Sequence, residues 1–377
     1  MHYFLSGSAA LKWLEKPYVF HLKKDDLYEL DQDSFSFLRA CAAPQGCAAH
    51  DMDFLDYCVK ENIITKEKPS LKRPSLIPSP VPSLRYLELQ ITDRCNLSCR
   101  HCYIRDKCHH ELSVQQVRRV LNELEELQGL RVLITGGEPF LHSDFSAINS
   151  MLPDFWIRKV LFTNGLMVSE EKLRGLNVDE IQFSIDGMER AHDLLRGKGT
   201  FRRVLDALKL SRDHGFHVSV ATMVHSENLN DFDVMDELFK EIGVREWAVD
   251  IPCMTGKSAE EKHLWVTPEQ GGLYLGYGFG EGLHTGASGF GCGLHLMAVL
   301  ADSRAAKCTF YSDRTVGTIE DGLRLCWERI RPITLSDLDC DCEHIDVCRG
   351  GCRFRAELLG NALGRDLYKC RQYGIMV

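Results

Sequence analysis

The chain has 377 residues, enough for two or three domains, and its 44% hydrophobic and 26% charged residues are typical of a globular protein. Its net charge of −9 argues against a general nucleic-acid binder, because neutralising phosphates requires clustered lysine and arginine. No apolar run reaches the roughly 18 residues of a membrane span, and the N-terminus lacks a secretory signal, so we expect a cytoplasmic protein with no membrane partner. In a reducing compartment, sixteen cysteines indicate metal ligation before disulfides.

The first segment, residues 1–66, predicts a small domain. Its stretch YVFHLKKDDLYELD alternates like a hairpin around a polar turn, while DSFSFLRACA and HDMDFLDYCVKENII place apolar residues at helical spacing. A few strands with about three helices fit a winged-helix domain. A linker over residues 67–83 separates this domain from the rest, because five of the twelve prolines lie between 67 and 84 and favour an extended spacer.

Residues 84–285 alternate predicted strands with amphipathic helices, a pattern typical of βα units on a parallel sheet. Ser113 can cap one helix together with Gln116, and another helix begins at Thr200 and ends at Gly215. Six strands are predicted, near residues 84–92, 131–136, 159–164, 180–185, 217–224 and 246–251.

Polar and glycine-rich signals follow these strands at the carboxyl end, where parallel α/β sheets build their sites. They are Cys95, Cys99 and Cys102 after the first strand, TGGEP (135–139), TNG (163–165), SIDG (184–187) and Asp250. Three thiolates on one short loop can hold three corners of a 4Fe-4S cluster and leave one iron open to a small molecule.

The motif C-x3-C-x2-C after a first strand, with TGGEP after the next, resembles the radical S-adenosylmethionine (SAM) enzymes over about residues 84–260. The resemblance implies an α/β fold with a partial (β/α)6 TIM-like barrel. It also implies that the open iron chelates the amine and carboxylate of SAM. One electron then cleaves SAM to methionine and a 5′-deoxyadenosyl radical.

The same resemblance suggests roles for individual side chains. Cys95, Cys99 and Cys102 would be the catalytic cluster ligands, Gly136 and Gly137 would let the backbone approach the methionyl group, and Glu138 would accept from its ammonium. His101 lies where the family places a ring near the adenine, and Ser184 and Asp186 are candidates for ribose or carboxylate contacts. The expected cofactor-binding residues are therefore His101, Gly136, Gly137, Glu138, Asn164, Ser184 and Asp186.

Simpler interpretations exist for each of these signals. The three cysteines can form a structural zinc site with His101, His109 or His110. In isolation, TGGEP is a tight turn and SIDG an ordinary end of a strand. Asp250 can have a purely structural role.

Beyond residue 285 the cysteines become dense, and CDCEHIDVCRGGC (340–352) resembles the SPASM extension of radical SAM maturases, which binds two auxiliary 4Fe-4S clusters. Residues 286–377 are therefore expected to form a cysteine-rich auxiliary-cluster domain. One departure is that a single residue separates Cys340 from Cys342, where the family commonly has two. A pair of structural zinc sites is the alternative. The resemblance assigns Cys340, Cys342, Cys348 and Cys370 to the outer cluster and Cys292, Cys308 and Cys352 to the inner one.

The inner cluster thus has three clear ligands. Either Cys253 or Cys326 completes it, or it is open and can bind a substrate thiolate. In the sulfatase-maturing branch an Asp base follows the inner-cluster cysteine, whereas Thr309 follows Cys308 here, which argues against that branch.

The N-terminal segment resembles the winged-helix recognition elements of peptide maturases, in which a leader peptide adds as an extra strand. We therefore expect a three-domain enzyme with three 4Fe-4S clusters that modifies a precursor peptide, most simply by forming a cysteine thioether. A flavodoxin- or ferredoxin-type donor would supply electrons. Alternatives are carbon-carbon crosslinking, epimerisation, oxidation or a small-molecule substrate. Non-enzyme alternatives are an iron-sulfur electron carrier and a zinc-stapled peptide-binding protein.

Overall fold

The computed structural model describes residues 2–48, 52–69, 72–104, 108–284 and 294–376. The N-terminal part forms two small antiparallel sheets with strand orders β5-β1-β6 and β2-β3-β4. Its elements are β1 (His2–Leu5), β2 (Ala9–Trp13), β3 (Pro17–His21), β4 (Asp26–Glu29), α1 (Gln32–Cys41), β5 (Cys47–Ala48), α2 (Met52–Lys60) and β6 (Ile64–Thr65).

The two N-terminal helices pack onto these sheets through one apolar cluster. Helix α1 begins after Asp31, whose carboxylate accepts a hydrogen bond of 2.8 Å from the Ser34 N–H and so caps the helix. Leu38 of α1 and Leu55 of α2 are buried in the same cluster. The sequence predicted about three helices, whereas the described N-terminal residues contain two. The reason is that α2 ends at Lys60 and the chain then forms strand β6.

The six predicted strands of the second segment are confirmed, each within two residues of its predicted bounds. They are hydrogen-bonded in parallel in the order β12-β11-β10-β9-β8-β7. Near-continuous apolar runs such as LRYLEL suit strands that are covered on both faces. The strands are β7 (Tyr86–Thr92), β8 (Arg131–Gly136), β9 (Arg158–Thr163), β10 (Glu180–Ser184), β11 (His217–Met223) and β12 (Glu246–Asp250).

Helices cover the outer face of this sheet. The predicted capping box at Ser113 and Gln116 is confirmed, and α7 begins at Thr200 as predicted, with Gly215 in a left-handed conformation just after its end. No helix in the described ranges is long and apolar enough to span a bilayer. The helices are α3 (Val114–Glu126), α4 (Phe145–Met151), α5 (Glu170–Arg174), α6 (Glu189–Arg196), α7 (Thr200–Asp213) and α8 (Phe232–Ile242).

The sheet does not end at β7. Strand β13 (Leu296–Val299) pairs in parallel with β7, and β14 (Arg304–Ala306) and β15 (Thr315–Thr318) continue the sheet antiparallel, which gives nine strands in the described ranges. The predicted boundary at 285/286 thus falls between strands of one continuous sheet. The later helices are α9 (Pro268–Gly271), α10 (Leu323–Glu328), α11 (Ile345–Cys348), α12 (Arg353–Leu358) and α13 (Leu367–Gln372).

The N-terminal part contacts the amino ends of the barrel strands. Asp25, in the turn between β3 and β4, forms salt bridges of 2.6 Å with Arg131 and 3.3 Å with Arg158, the first residues of β8 and β9. Arg158 also pairs with Glu180 at 2.7 Å, and all four side chains are at most 10% exposed. The linker lies along the same contact, where the Ser79 N–H donates to the Trp13 carbonyl at 2.8 Å. The two parts are therefore joined by a buried polar contact.

Candidate active site

The three cysteines of the first loop lie at the carboxyl end of the barrel. Cys95, Cys99 and Cys102 follow β7 and line a cavity of about 520 Å³ inside the sheet. Burial raises the pKa of the Cys99 thiol, and the nearby thiols of Cys102 and Cys95 raise it further, while the positive charge of Arg196 opposes the shift. The three predicted ligands are thus brought together at one cavity.

The glycines of TGGEP allow two strand-end loops to touch. Gly136 has φ +149°, and a Cβ there would lie 2.1 Å from the Thr92 carbonyl oxygen; at Gly137 it would lie 2.2 Å from the Arg94 carbonyl oxygen. In the space so freed, the Gly137 N–H donates to the Thr92 carbonyl at 2.8 Å. Both glycines line the cavity, but the structure gives them a second role, which is to let the cysteine loop pack against β8.

Glu138 is placed differently from the sequence-based expectation. Its side chain is fully buried, and its carboxylate accepts from the Thr163 hydroxyl at 2.9 Å and the Asn164 N–H at 2.9 Å. Burial raises its pKa to about 7, although these hydrogen bonds oppose the shift. Its carboxylate therefore holds the loop after β9, which the sequence could not show because the partners lie 25 residues away.

Asn164 is held by that loop beside the cysteines. Its amide donates to Asn96 Oδ1 at 2.7 Å and lies 3.9 Å from the Cys95 sulfur. Ser184, the last residue of β10, lines the same cavity. Both predicted residues are therefore at the cavity, as expected from the position of their motifs.

Asp186 forms a buried ionic group with a residue that the sequence analysis missed. Arg196 Nε donates to Asp186 Oδ2 at 2.5 Å, and the Met223 N–H donates to Oδ1 at 2.8 Å. Burial alone would raise the pKa of Asp186, but the charge of Arg196 outweighs it and the pKa lies well below its usual range. Arg196 is the last residue of helix α6. Arginine is common at the C-terminal end of helices, so nothing in the sequence marked this residue as part of the site.

His101 lies next to this pair. Its Nε2 atom is 3.3 Å from a terminal guanidinium nitrogen of Arg196 and 3.6 Å from Asp186 Oδ2, while its buried Nδ1 has no hydrogen-bond partner among the described residues. Burial lowers the pKa of His101 to about 4, although Asp186 opposes the shift, so the ring is neutral at pH 7. An unpaired ring nitrogen at a cavity is the kind of group that a bound ligand satisfies.

The donor set fits an iron-sulfur cluster better than a single ion. Among the described residues, no three Cys, His, Asp or Glu side chains converge on one point as the ligands of a single metal ion do. A cubane cluster takes each thiolate on a different iron, so the sulfur atoms need only surround a common space. The cavity, three thiols and the unpaired His101 nitrogen meet that requirement.

A second group of thiols includes Cys253, which lines the same cavity. The Cys253 thiol donates to the sulfur of Cys352, which lowers the pKa of Cys352. Burial raises the pKa of Cys308, and the nearby charges of Glu88 and Cys352 raise it further. Cys326 instead donates to the Thr318 carbonyl at 3.4 Å in the apolar core, so Cys253 is the candidate next to Cys352. Cys292 lies outside the described residues.

The four outer cysteines also come together. Cys348 is close enough to Cys342 and Cys340 for their charges to raise its pKa, which burial raises most. Burial likewise raises the pKa of Cys370 to about 11, with contributions from Cys340 and Cys348. The C-x-C departure at Cys340 therefore does not remove that residue from the group.

The site geometry agrees with the similarity to known proteins. A model of the Radical SAM superfamily matches residues 89–239. The AdoMet-dependent heme synthase of Nitratidesulfovibrio vulgaris is 26% identical over 201 residues, which cover 51% of this chain and 54% of the synthase. The chain thus spans about half the length of that relative.

Two further similarities extend over more of the chain. Mycofactocin maturase MftC of Mycolicibacterium smegmatis is 26% identical over 304 residues, which cover 71% of this chain and 77% of the maturase. The crystal structure of Streptococcus suis SuiB bound to precursor peptide SuiA shares the fold, with a TM-score of 0.69 at 12% identity over 97% of this chain and 100% of that chain. The family match includes Cys95, Cys99 and Cys102, which line the cavity.

Proposed function

We propose that the chain is a radical SAM maturase of a ribosomally made precursor peptide. The observation that carries the proposal is the cavity, which is lined by Cys95, Cys99 and Cys102 and also by Cys253 and the turn after Cys308. A peptide residue in this cavity would lie near both groups of thiols. The maturase among the relatives and the shared fold with a peptide-bound SuiB support the same substrate class.

The residues of the chain have distinct tasks in this proposal. Cys95, Cys99 and Cys102 hold the cluster, Asn164 and His101 border it, and Arg196 offers a guanidinium whose charge Asp186 balances. The cluster and SAM, when bound, supply the 5′-deoxyadenosyl radical that removes a hydrogen atom from the peptide. The apolar walls of the barrel exclude water from that step.

In the proposal the leader peptide binds to strand β4 of a winged-helix recognition domain, residues 1–66. Among the described residues, strand β4 pairs with β3 only, so its other edge is open. The other edge strand, β2, is already covered, because Trp13 is bonded by Ser79 and Ala9 by Arg73. An extended peptide can add to an exposed edge through main-chain hydrogen bonds.

The C-terminal residues 286–377 are proposed as a SPASM domain with two auxiliary 4Fe-4S clusters. Cys340, Cys342, Cys348 and Cys370 would hold the outer cluster, and Cys308 and Cys352, with Cys292, would contribute to the inner one. The proximity of the four outer thiols supports this assignment. A flavodoxin- or ferredoxin-type donor in the cytoplasm would deliver electrons.

Thioether crosslinking is the leading chemistry, because an inner cluster with an open site could bind a substrate cysteine thiolate and take up the electron left by carbon-sulfur bond formation. One observation favours a second candidate. Cys253 lies in hydrogen-bonding contact with Cys352, where it could close that site. A closed site would favour carbon-carbon crosslinking, epimerisation or oxidation, none of which needs a thiolate bound to the cluster.

The test uses the anaerobically reconstituted full chain. We expect about twelve iron and twelve sulfide per chain, the content of three such clusters, and 5′-deoxyadenosine from SAM with dithionite. Cys95→Ala should abolish deoxyadenosine formation, whereas Cys108→Ala, which removes an exposed cysteine near the same loop, should not. Zinc in place of iron, with no SAM cleavage, would refute the proposal.

The type of bond that forms is determined from the peptide after the reaction. A synthetic copy of the peptide encoded by the reading frame adjacent to the gene is incubated with the chain, SAM and dithionite. Loss of two hydrogens with protection of one cysteine from alkylation would indicate a thioether. Loss of two hydrogens with every cysteine still alkylated would favour carbon-carbon crosslinking or oxidation, and an unchanged mass with deuterium taken up from heavy water would favour epimerisation.

A further inference from the structure

Strand β7 carries one charged residue into the barrel. Glu88 lines the cavity, and its Oε2 atom accepts a hydrogen bond of 2.9 Å from the Thr309 N–H. The Thr309 hydroxyl also interacts with the carboxylate, and no described cation forms a salt bridge with Glu88. The carboxylate is thus held by Thr309 and has no cation to balance it among the described residues.

Glu88 lies between the two groups of thiols. On one side is Tyr103, which follows Cys102 and accepts from Gln90 at 3.2 Å; the Tyr103 ring contacts Phe310 edge-on at 6.0 Å. On the other side is Thr309, which follows Cys308. Glu88 therefore lies next to the place that the peptide residue would occupy under the proposed function.

Burying a carboxylate without a cation is costly, and native proteins generally pair such groups or use them. Burial raises the pKa of Glu88, and only the hydrogen bonds from Thr309 oppose the shift. Two acidic groups of the cavity wall are paired with arginines, Asp186 with Arg196 and Asp250 with Arg355. Glu88 and Glu246 have no such partner among the described residues, and of these two Glu88 is the one that lies beside Tyr103 and Thr309.

We propose that Glu88 is a substrate-binding residue whose carboxylate accepts a hydrogen bond from an N–H, O–H, S–H or ammonium group of the peptide residue being modified. The same carboxylate disfavours an Asp or Glu at that peptide position, because two carboxylates in a buried site repel each other. Thr309 N–H holds the carboxylate in place for this contact. The inference rests on the proposed function and adds the specificity of its site.

The test compares Glu88→Ala and Glu88→Gln with Glu246→Gln, which removes a carboxylate from the base of the same cavity. The probe is the synthetic copy of the peptide encoded beside the gene. Glu88→Ala should lower the kcat of peptide modification about tenfold, since a misplaced substrate reacts slowly. The KM for the peptide should change by less than about threefold because the leader supplies the affinity.

Two further readouts separate a specific contact from general damage. SAM cleavage without peptide should match the wild type in every variant, since in this proposal Glu88 acts on the peptide and not on SAM. A peptide with Asp at the modified position should stimulate deoxyadenosine formation in Glu88→Gln but not in the wild type. Equal kcat in Glu88→Ala and Glu246→Gln, or equal response of wild type and Glu88→Gln to the Asp peptide, would overturn the role of Glu88.

The proposed function fails in a different way. A wild-type chain that cleaves SAM but leaves the peptide unmodified would overturn the maturase proposal, and the role of Glu88 with it. A wild-type chain that modifies the peptide, with Glu88→Ala as fast as wild type, would overturn the role of Glu88 alone.

Discussion

Glu138 shows how one buried side chain makes stability depend on pH. Its pKa is raised from 4.5 to about 7, so its contribution to the free energy of unfolding is fully present below pH 4.5 and is lost as pH rises through about 7. At 1.36 kcal/mol per pKa unit, the loss is about 3 kcal/mol. We expect Glu138→Gln to lack this fall, as measured by urea unfolding between pH 4.5 and 8 under anaerobic conditions.

The control for this prediction is Glu170→Gln, which removes an exposed carboxylate from α5. Its unfolding free energy should follow the wild type across the same pH range. If Glu138→Gln falls with pH as steeply as the wild type, Glu138 does not titrate in this range.

At the scale of an element, strand β4 is the one on which leader binding depends. The Leu30 N–H donates to the Pro17 carbonyl, so by antiparallel alternation the N–H of Glu29 points away from β3. Glu29→Pro removes that outward donor and keeps the pairing with β3. We expect it to weaken binding of the synthetic precursor peptide to the full chain about tenfold, as measured by fluorescence anisotropy.

Glu29→Ala is the matched control, because it removes the same side chain and its salt bridge with Lys16 but keeps the N–H. It should bind the peptide like the wild type. Equal weakening by the two substitutions would mean that the side chain, and not the strand edge, binds the peptide.

The elements were largely predictable, and the contacts between them were not. The six barrel strands and the Ser113 cap follow from local patterns that the structure confirms. The predicted carboxyl ends of these strands also placed Asn164 and Ser184 at the cavity. Arg196, Glu88 and the partners of Glu138 could not be found this way, since each depends on residues brought together only by the fold. Strand β13 was missed because its short apolar run, LMAV, has no periodicity of its own.

At the scale of the whole molecule, Asp25 ties the N-terminal part to the barrel. Burial raises the pKa of Asp25 to about 6 despite the two arginines, so at pH 8 it is ionised. Asp25→Asn would leave buried guanidinium groups of Arg131 and Arg158 less compensated, and we expect a loss of about 3 kcal/mol in the free energy of unfolding at pH 8. Trypsin should also cut the linker after Lys72 faster than in the wild type.

A neighbouring pair serves as the comparison for that prediction. Lys24, next to Asp25 in the turn, pairs with Glu61 at 2.5 Å at the surface. Glu61→Gln should cost less than about 1 kcal/mol, as expected of an exposed ion pair. Similar losses from both substitutions would show that the buried pairs add little to the contact.

The pairing of β13 with β7 limits how this protein could have evolved by recombination of separate segments. Strand β7 leads directly into the cysteine loop, and its second edge is occupied by a strand that comes from beyond residue 293. A chain ending at residue 284 would leave unpaired those backbone N–H and C=O groups of Tyr86–Leu89 that face β13, which is a template for self-association. Recombination that exchanges the C-terminal segment must therefore supply a replacement strand in the same register, so the two halves are expected to have been inherited together.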